Sequence, residues 1–213
     1  MTTKNTFRIA LLSFAFTFSG CGDSAVEEIG VLGAETLYDE TVTPTAVYMD
    51  ACVPDGTGVV TGDQVANLTL QNCYGEEVEL HDYCGRRTAM WLIGSAGWCG
   101  ACESYVPQAA SVFEQRRHEG IELFVIVSED RQYNAPTREY CMQYAEEKNI
   151  DPSRVLMDPG FGQTWSLISP TGGSGGSVGL PWQSVLRPYD MTYTWNSQTD
   201  GGDAQSALNE LLD

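Results

Sequence analysis

Met90-Trp91-Leu92-Ile93-Gly94-Ser95-Ala96-Gly97-Trp98-Cys99-Gly100-Ala101-Cys102 runs from an apolar segment through a glycine-bounded turn into two cysteines spaced by two residues. Thr88 to Ile93 reads as a buried parallel strand. A helix begins at Cys99 or Gly100 and continues to about His118; Arg116, Arg117 and His118 suit the negative end of its dipole, and Gly120 stops it. Cysteines at this spacing reach each other across one helical turn. The first also meets the free backbone N–H groups and the positive dipole end of the helix start. Such surroundings take a thiol pKa from about 8.5 into roughly the 3.5–7.5 range, which makes Cys99 a nucleophile near neutral pH and Cys102 its resolving partner. The motif points to redox chemistry. Its competitors are an inert disulfide and half of a zinc site; a zinc ribbon wants a second C-x-x-C, and the chain has none.

With 213 residues and 42% hydrophobic content, the chain can build one ordinary domain with a real core, plus an appendage. The formal net charge is −18, and between Gly22 and Gly85 there is no Lys or Arg against 13 Asp and Glu. Such a surface repels phosphate backbones and anionic headgroups, which excludes nucleic acid as a partner.

The N-terminus reads as an export signal. Lys4 and Arg8 give a basic start, and Ile9 to Phe18 is an apolar stretch too short to span a bilayer as a mature helix. Phe18-Ser19-Gly20-Cys21 then resembles a bacterial lipoprotein processing box. That resemblance implies that Cys21 becomes the lipidated first residue of the mature chain. Ordinary secretory cleavage and an uncleaved anchor are the alternatives. The domain plan is therefore a signal peptide over residues 1–20, an acidic tether over 21–61 and a folded domain over 62–213. The expected location is the cell envelope, lipid-anchored on the periplasmic face of the inner or outer membrane or at the cell surface.

With Cys21 set aside, Cys52, Cys73, Cys84, Cys99, Cys102 and Cys141 remain, an even set suited to three bridges in an oxidising compartment. Proximity pairs Cys99 with Cys102. Cys73 and Cys84 flank a turn and a short alternating strand, and closing that loop of about ten residues is worth on the order of 2–3 kcal/mol. Elimination leaves Cys52 with Cys141, although each can equally be a buried free thiol.

Beyond about Gly62 the chain becomes regular. Strands are expected at Leu68–Leu70, around Val78–Leu80, at Leu123–Val127 and at Val155–Met157. A helix starts at Ala135-Pro136-Thr137 with Pro136 in its first turn, and a short one spans Phe161–Ile168. The loop Thr171–Gly176 lacks the ending of a phosphate loop and reads as an insertion. A hairpin, Gln183–Leu186 and Thr192–Trp195, precedes a closing helix from Ala204 to Leu212. Strands alternating with helices define an α/β sandwich.

Three motifs carry a family resemblance over roughly residues 62–213: Trp98-Cys99-Gly100-Ala101-Cys102, Pro107 five residues beyond Cys102, and Gly179-Leu180-Pro181 before a strand pair. The chain resembles the thioredoxin-fold family, in its membrane-tethered redoxin or thiol-disulfide oxidoreductase branch. The resemblance implies a thioredoxin-like α/β sandwich, a central mixed sheet flanked by helices, with an N-terminal β-hairpin extension. It makes Cys99 the nucleophile and Cys102 the resolving thiol, places a cis Pro181 against the sulfurs, offers the Leu180 backbone to a substrate strand, and has Trp98 shape the docking surface. Two positions depart from the pattern. Ile93 stands where the family often keeps a buried acidic or polar residue, so deprotonation of Cys102 falls to water, to a carboxylate such as Glu129 or Asp130, or is slow, and Ala101 replaces a common proline.

The leading reading is a monomeric envelope thiol-disulfide oxidoreductase. It needs no cofactor beyond its redox-active disulfide and no metal. Its partners are protein thiols and disulfides, an electron donor or acceptor, and the membrane through an N-terminal lipid. A thiol peroxidase is the enzymatic alternative, but Trp91–Trp98 lacks the proline and threonine of P-x-x-x-T-x-x-C. The non-enzymatic alternative is a binding module in which the C-x-x-C is only a staple.

Overall fold

The computed structural model describes residues 51–169 and 178–213; Cys21, the signal segment and the glycine-rich loop at 171–176 lie outside them. Seven strands form one mixed sheet: β1 (Thr69–Asn72), β2 (Glu77–Glu79), β3 (Ala89–Ser95), β4 (Ile121–Val127), β5 (Val155–Met157), β6 (Trp182–Arg187) and β7 (Thr192–Asn196). Their order is β2-β1-β5-β4-β3-β6-β7. The helices are α1 (Gly100–Arg116), α2 (Arg138–Lys148), α3 (Trp165–Ile168) and α4 (Ala204–Leu212). β3, β4 and β5 run parallel, with α1 and α2 as crossovers, while β1 and β6 join their flanks antiparallel. This is the thioredoxin-like sandwich, with β1 and β2 as its N-terminal hairpin.

β3 and β4 are buried along their whole lengths, because both sheet faces are covered. Trp91, Ile93, Leu123 and Val125 pack under Val106 and Phe113 of α1, Tyr144 of α2 and Leu208 of α4. Met90, Leu92, Phe124 and Ile126 face the other way, under Leu68, Leu80, Phe161 and Leu167. Local chemistry sets the element ends. Gly120 caps the α1 region with φ 88. Thr137, not Pro136, opens α2: its hydroxyl accepts from Tyr140 N at 3.1 Å, and Pro136 stands one residue outside the cap. The single helix expected over Phe161–Ile168 is broken, because the buried Asp158 carboxylate accepts from Gln163 N (3.1 Å) and Thr164 N (2.6 Å) and turns the chain before α3.

Part of the expected tether is folded. Cys52 and Val59 are buried, and the strap that follows lies along β7: Gly62 N donates to Tyr193 O, Tyr193 N to Asp63 O and Val65 N to Met191 O. A strap there covers an edge that would otherwise offer unpaired backbone groups. The residues that make these bonds, Gly62, Asp63 and Val65, open the expected folded domain, and their partners lie on a distant strand.

The disulfide pairing differs from expectation. The bonds are Cys52–Cys84 and Cys73–Cys141, beside Cys99–Cys102. Cys73 belongs to the core under α1 and α2, whereas Cys84 belongs to the core on the opposite sheet face, so the two cannot meet however close in sequence. Each bond instead joins residues of one face. Cys52–Cys84 spans 32 residues. We expect Cys52→Ser with Cys84→Ser to lose about 2–4 kcal/mol in chemical denaturation and to admit protease at Gly56–Gly62. Unchanged stability with an uncut strap would show that hydrogen bonding alone holds it.

Candidate active site

The pairing of Ile93 with Gln183 and of Gly94 with Trp182 brings the start of β6 to the end of β3. Leu180 and Pro181 therefore sit at the same sheet end as the turn into α1, and their peptide bond is cis. Leu180 packs against the cluster that contains Cys99 and Cys102. Pro107 lies inside α1.

Cys99 is the N-cap of α1, with an extended backbone, and its Sγ accepts from Cys102 N at 3.1 Å. Residues that cap helix starts satisfy N–H groups the helix leaves unpaired, and here a sulfur does so. Cys99 is 5% exposed against 1% for Cys102, so the first cysteine is the less deeply buried of the two.

Trp98 lies on the surface beside them, 41% exposed. Its ring stacks on Tyr133 at 5.3 Å between centroids and 18° between planes, and its indole N–H donates to Glu129. Gly97 N donates to the Glu129 carbonyl at 2.8 Å. A Cβ on Gly97 would run into the Tyr140 hydroxyl and lie 2.7 Å from the backbone of Asp130 and Arg131. The hydroxyl can swing away; the backbone cannot. Gly97→Ala should therefore cost about 1–3 kcal/mol and displace the 129–134 loop from Trp98, read as a change in tryptophan fluorescence together with the unfolding midpoint. Wild-type values for both would mean that the loop has slack.

Polar links tie α1, α2 and β3 together. Lys148 pairs with Glu103 in the first turn of α1, and its Nζ lies 5.5 Å above the Tyr144 ring. The Tyr144 hydroxyl shares a 2.8 Å hydrogen bond with Ser95 Oγ, and burial pushes its pKa up. Ile93 is buried, as its place in β3 requires. Across the ladder from it, Gln183 accepts a hydrogen bond from Tyr105, whose hydroxyl is pushed up to about 12 by burial and by the charge of Asp203. Glu129 and Asp130 are engaged in their own loop. Glu129 holds Trp98, and Asp130 accepts from Gln132 N (2.7 Å) and Asn134 N (2.8 Å).

Tyr133, Gly97 and the Tyr105–Gln183 pair escaped the sequence reading. One signal for the first was available. Asp130 and Asn134 bracket an Asx-type loop at the carboxyl end of β4, where open α/β sheets place ligand-facing loops. Among the described residues, no group of three or more His, Cys, Asp or Glu is placed to hold a metal ion.

Residues 61–162 match the AhpC/TSA family. The fold is similar to the thioredoxin domain of a thiol-disulfide oxidoreductase from Bacteroides vulgatus, at 16% identity and a TM-score of 0.54 over 72% of this chain and 99% of that one. It is also similar to a thiol:disulfide interchange protein from Bacteroides sp. (15% identity, TM-score 0.53, 76% and 91% covered). An uncharacterized conserved protein from Geobacillus kaustophilus gives 19% identity and a TM-score of 0.55, with 74% and 84% covered. No curated protein matches the sequence. The fold is thioredoxin-like, and the AhpC/TSA match covers just under half of the chain.

Proposed function

We infer that the protein exchanges disulfides with polypeptides in the cell envelope through Cys99 and Cys102, held there by lipid on Cys21. The observation that carries the reading is the Cys99–Cys102 disulfide at the start of α1, with Cys99 as the helix cap. In the reducing direction, the Cys99 thiolate attacks one sulfur of a substrate disulfide. A Cys99–substrate S–S bond forms, and the other substrate sulfur leaves as a thiolate that takes up a proton. Cys102 then gives up its proton, and its thiolate attacks the Cys99 sulfur. The second substrate sulfur leaves and is protonated, and Cys99–Cys102 is restored. The substrate gains two electrons and two protons, which a dithiol donor must return to the pair. Reversed, the same steps oxidise a substrate dithiol.

The N–H of Cys102 that reaches Cys99 Sγ would donate equally to the thiolate, and the helix dipole adds to it. Leu180, at the same sheet end, is the backbone we assign to substrate pairing, and Trp98 the side chain that shapes docking. Export is supported by the N-terminal segment and by two further bridges, Cys52–Cys84 and Cys73–Cys141, of a kind that persists in oxidising compartments. Among the described residues no helix is long and apolar enough to cross a membrane.

The test is the reduction potential of Cys99–Cys102 in the whole chain, equilibrated against glutathione or dithiothreitol with Cys99→Ser as control for the other two bridges. A value between about −270 and −120 mV supports exchange and gives its direction, while one below about −300 mV leaves a structural staple. The family match gives thiol peroxidase a second hearing. Consumption of hydrogen peroxide faster than exchange with any disulfide would favour it.

A further inference from the structure

Two of the most exposed large aromatic side chains in the described residues meet beside the Cys99–Cys102 pair: Trp98, 41% exposed, and Tyr133, 68% exposed. Leaving two large rings in water forgoes burial that each would otherwise gain, and the stack hides only one face of each. The pair is nonetheless held in place from several sides. Tyr133 takes φ 63, a region non-glycine residues rarely occupy, within a loop closed by Asp130 N to Asn134 O (2.8 Å) and by Tyr133 N to Asp130 O (3.3 Å). Trp98 is fixed by Glu129 through its indole N–H and by the close seat of Gly97 on the same loop. Rigid aromatic surface of this sort binds with little ordering cost.

The charge of the surroundings selects an occupant. Glu129 and Asp130 flank the stack, and the loop amides hold Asp130 below the ordinary carboxylate range. The neighbouring cation, Arg131, is turned to Glu147, with Nη2 to Oε2 at 2.6 Å. The chain as a whole carries −18. A cation over a ring face gains from its quadrupole, and a carboxylate alongside adds to the attraction. An acidic side chain in the same place meets repulsion from both.

Resting on the exchange reading above, we propose that the Trp98–Tyr133 stack, flanked by Glu129 and Asp130, is a docking surface for a lysine or arginine that neighbours the disulfide of an extended substrate polypeptide. Cys99 then meets disulfides in cationic sequence first. The surface sets which disulfides are attacked; it takes no part in bond exchange.

The experiment uses the whole chain, reduced at Cys99–Cys102, and three synthetic peptides of equal length, each with one disulfide. They differ only in carrying lysine, glutamine or glutamate two residues from the cystine. Second-order exchange rates are measured at low salt and again at about 0.5 M, where long-range attraction to the acidic chain is screened and only local contacts discriminate. The order lysine, glutamine, glutamate is expected to persist at high salt. Tyr133→Ala should lower the lysine-to-glutamine ratio about 2–5-fold, the scale of an exposed cation–π contact, and Tyr133→Phe should keep it. Equal rates for the three peptides at high salt, or a ratio that Tyr133→Ala leaves unchanged, overturns the docking surface while exchange itself stands. No exchange with any peptide, when dithiothreitol still reduces the pair, overturns the exchange reading and the docking surface with it.

Discussion

Cys102→Ser will accumulate joined to its substrates through Cys99, and Cys99→Ser will lose exchange by on the order of 10³-fold or more, the scale on which loss of a nucleophile acts. The asymmetry follows from the helix start. Cys99 retains the less buried position and the N–H donor from position 102, so it can still attack once Cys102 is serine. A serine hydroxyl at 102 cannot resolve the mixed disulfide, and the covalent intermediate persists. Non-reducing electrophoresis of the two variants, incubated with a disulfide-bonded protein such as insulin, reads the result. Equal trapping by both, or by neither, would sink the assignment of roles. Cys73 and Cys141 serve as internal comparison. They are buried in the core, and adducts on either would point to unfolding instead of exchange.

The second large effect lies in the core. Glu122, in β4, is 2% exposed and lies 3.1 Å from the Nε of both Arg87 and Arg154. The two guanidinium groups in turn cover Tyr83 and Phe113. Removing the shared acid leaves two partly wet arginines facing each other. Breaking a buried pair costs about 3–5 kcal/mol, and partial solvation of the arginines sets the expectation for Glu122→Gln at about 2–4 kcal/mol. For a domain of this size that is roughly 5–15 °C in Tm. Replacing all three residues with apolar side chains of similar volume should recover much of the loss, because the desolvation cost goes with the charges. A Tm for Glu122→Gln within a degree or two of wild type would mean that water already satisfies the triad.

The strand-turn-helix at the centre of the site was legible because its signals are local. An unbroken apolar run, a glycine turn and two cysteines one helical turn apart need no distant residue to be interpreted. β3, β4 and α1 lie close to where their patterns place them. The closing helix is likewise visible, with Asp203 as a cap accepting from Ser206 N. Where the reading missed, sequence distance stood in for spatial distance. Cys73 and Cys84 are near neighbours along the chain, but a sheet separates them. Pro136 looked like a first-turn proline until Thr137 took the cap.

The amino-acid pattern alone therefore carried the α/β class, the order of elements and the pairing of Cys99 with Cys102, since periodicity, caps and turn residues act within a few positions. It did not carry the strap over β7, the partners of the structural cysteines or the surroundings of Trp98. Those depend on which sheet face, which edge and which loop a residue reaches after the chain has crossed over. Tyr133 is the clearest case: it is an unremarked tyrosine in a polar loop until the parallel pairing of β3 with β4 brings that loop over Gly97, and only then does its ring lie against the tryptophan beside Cys99.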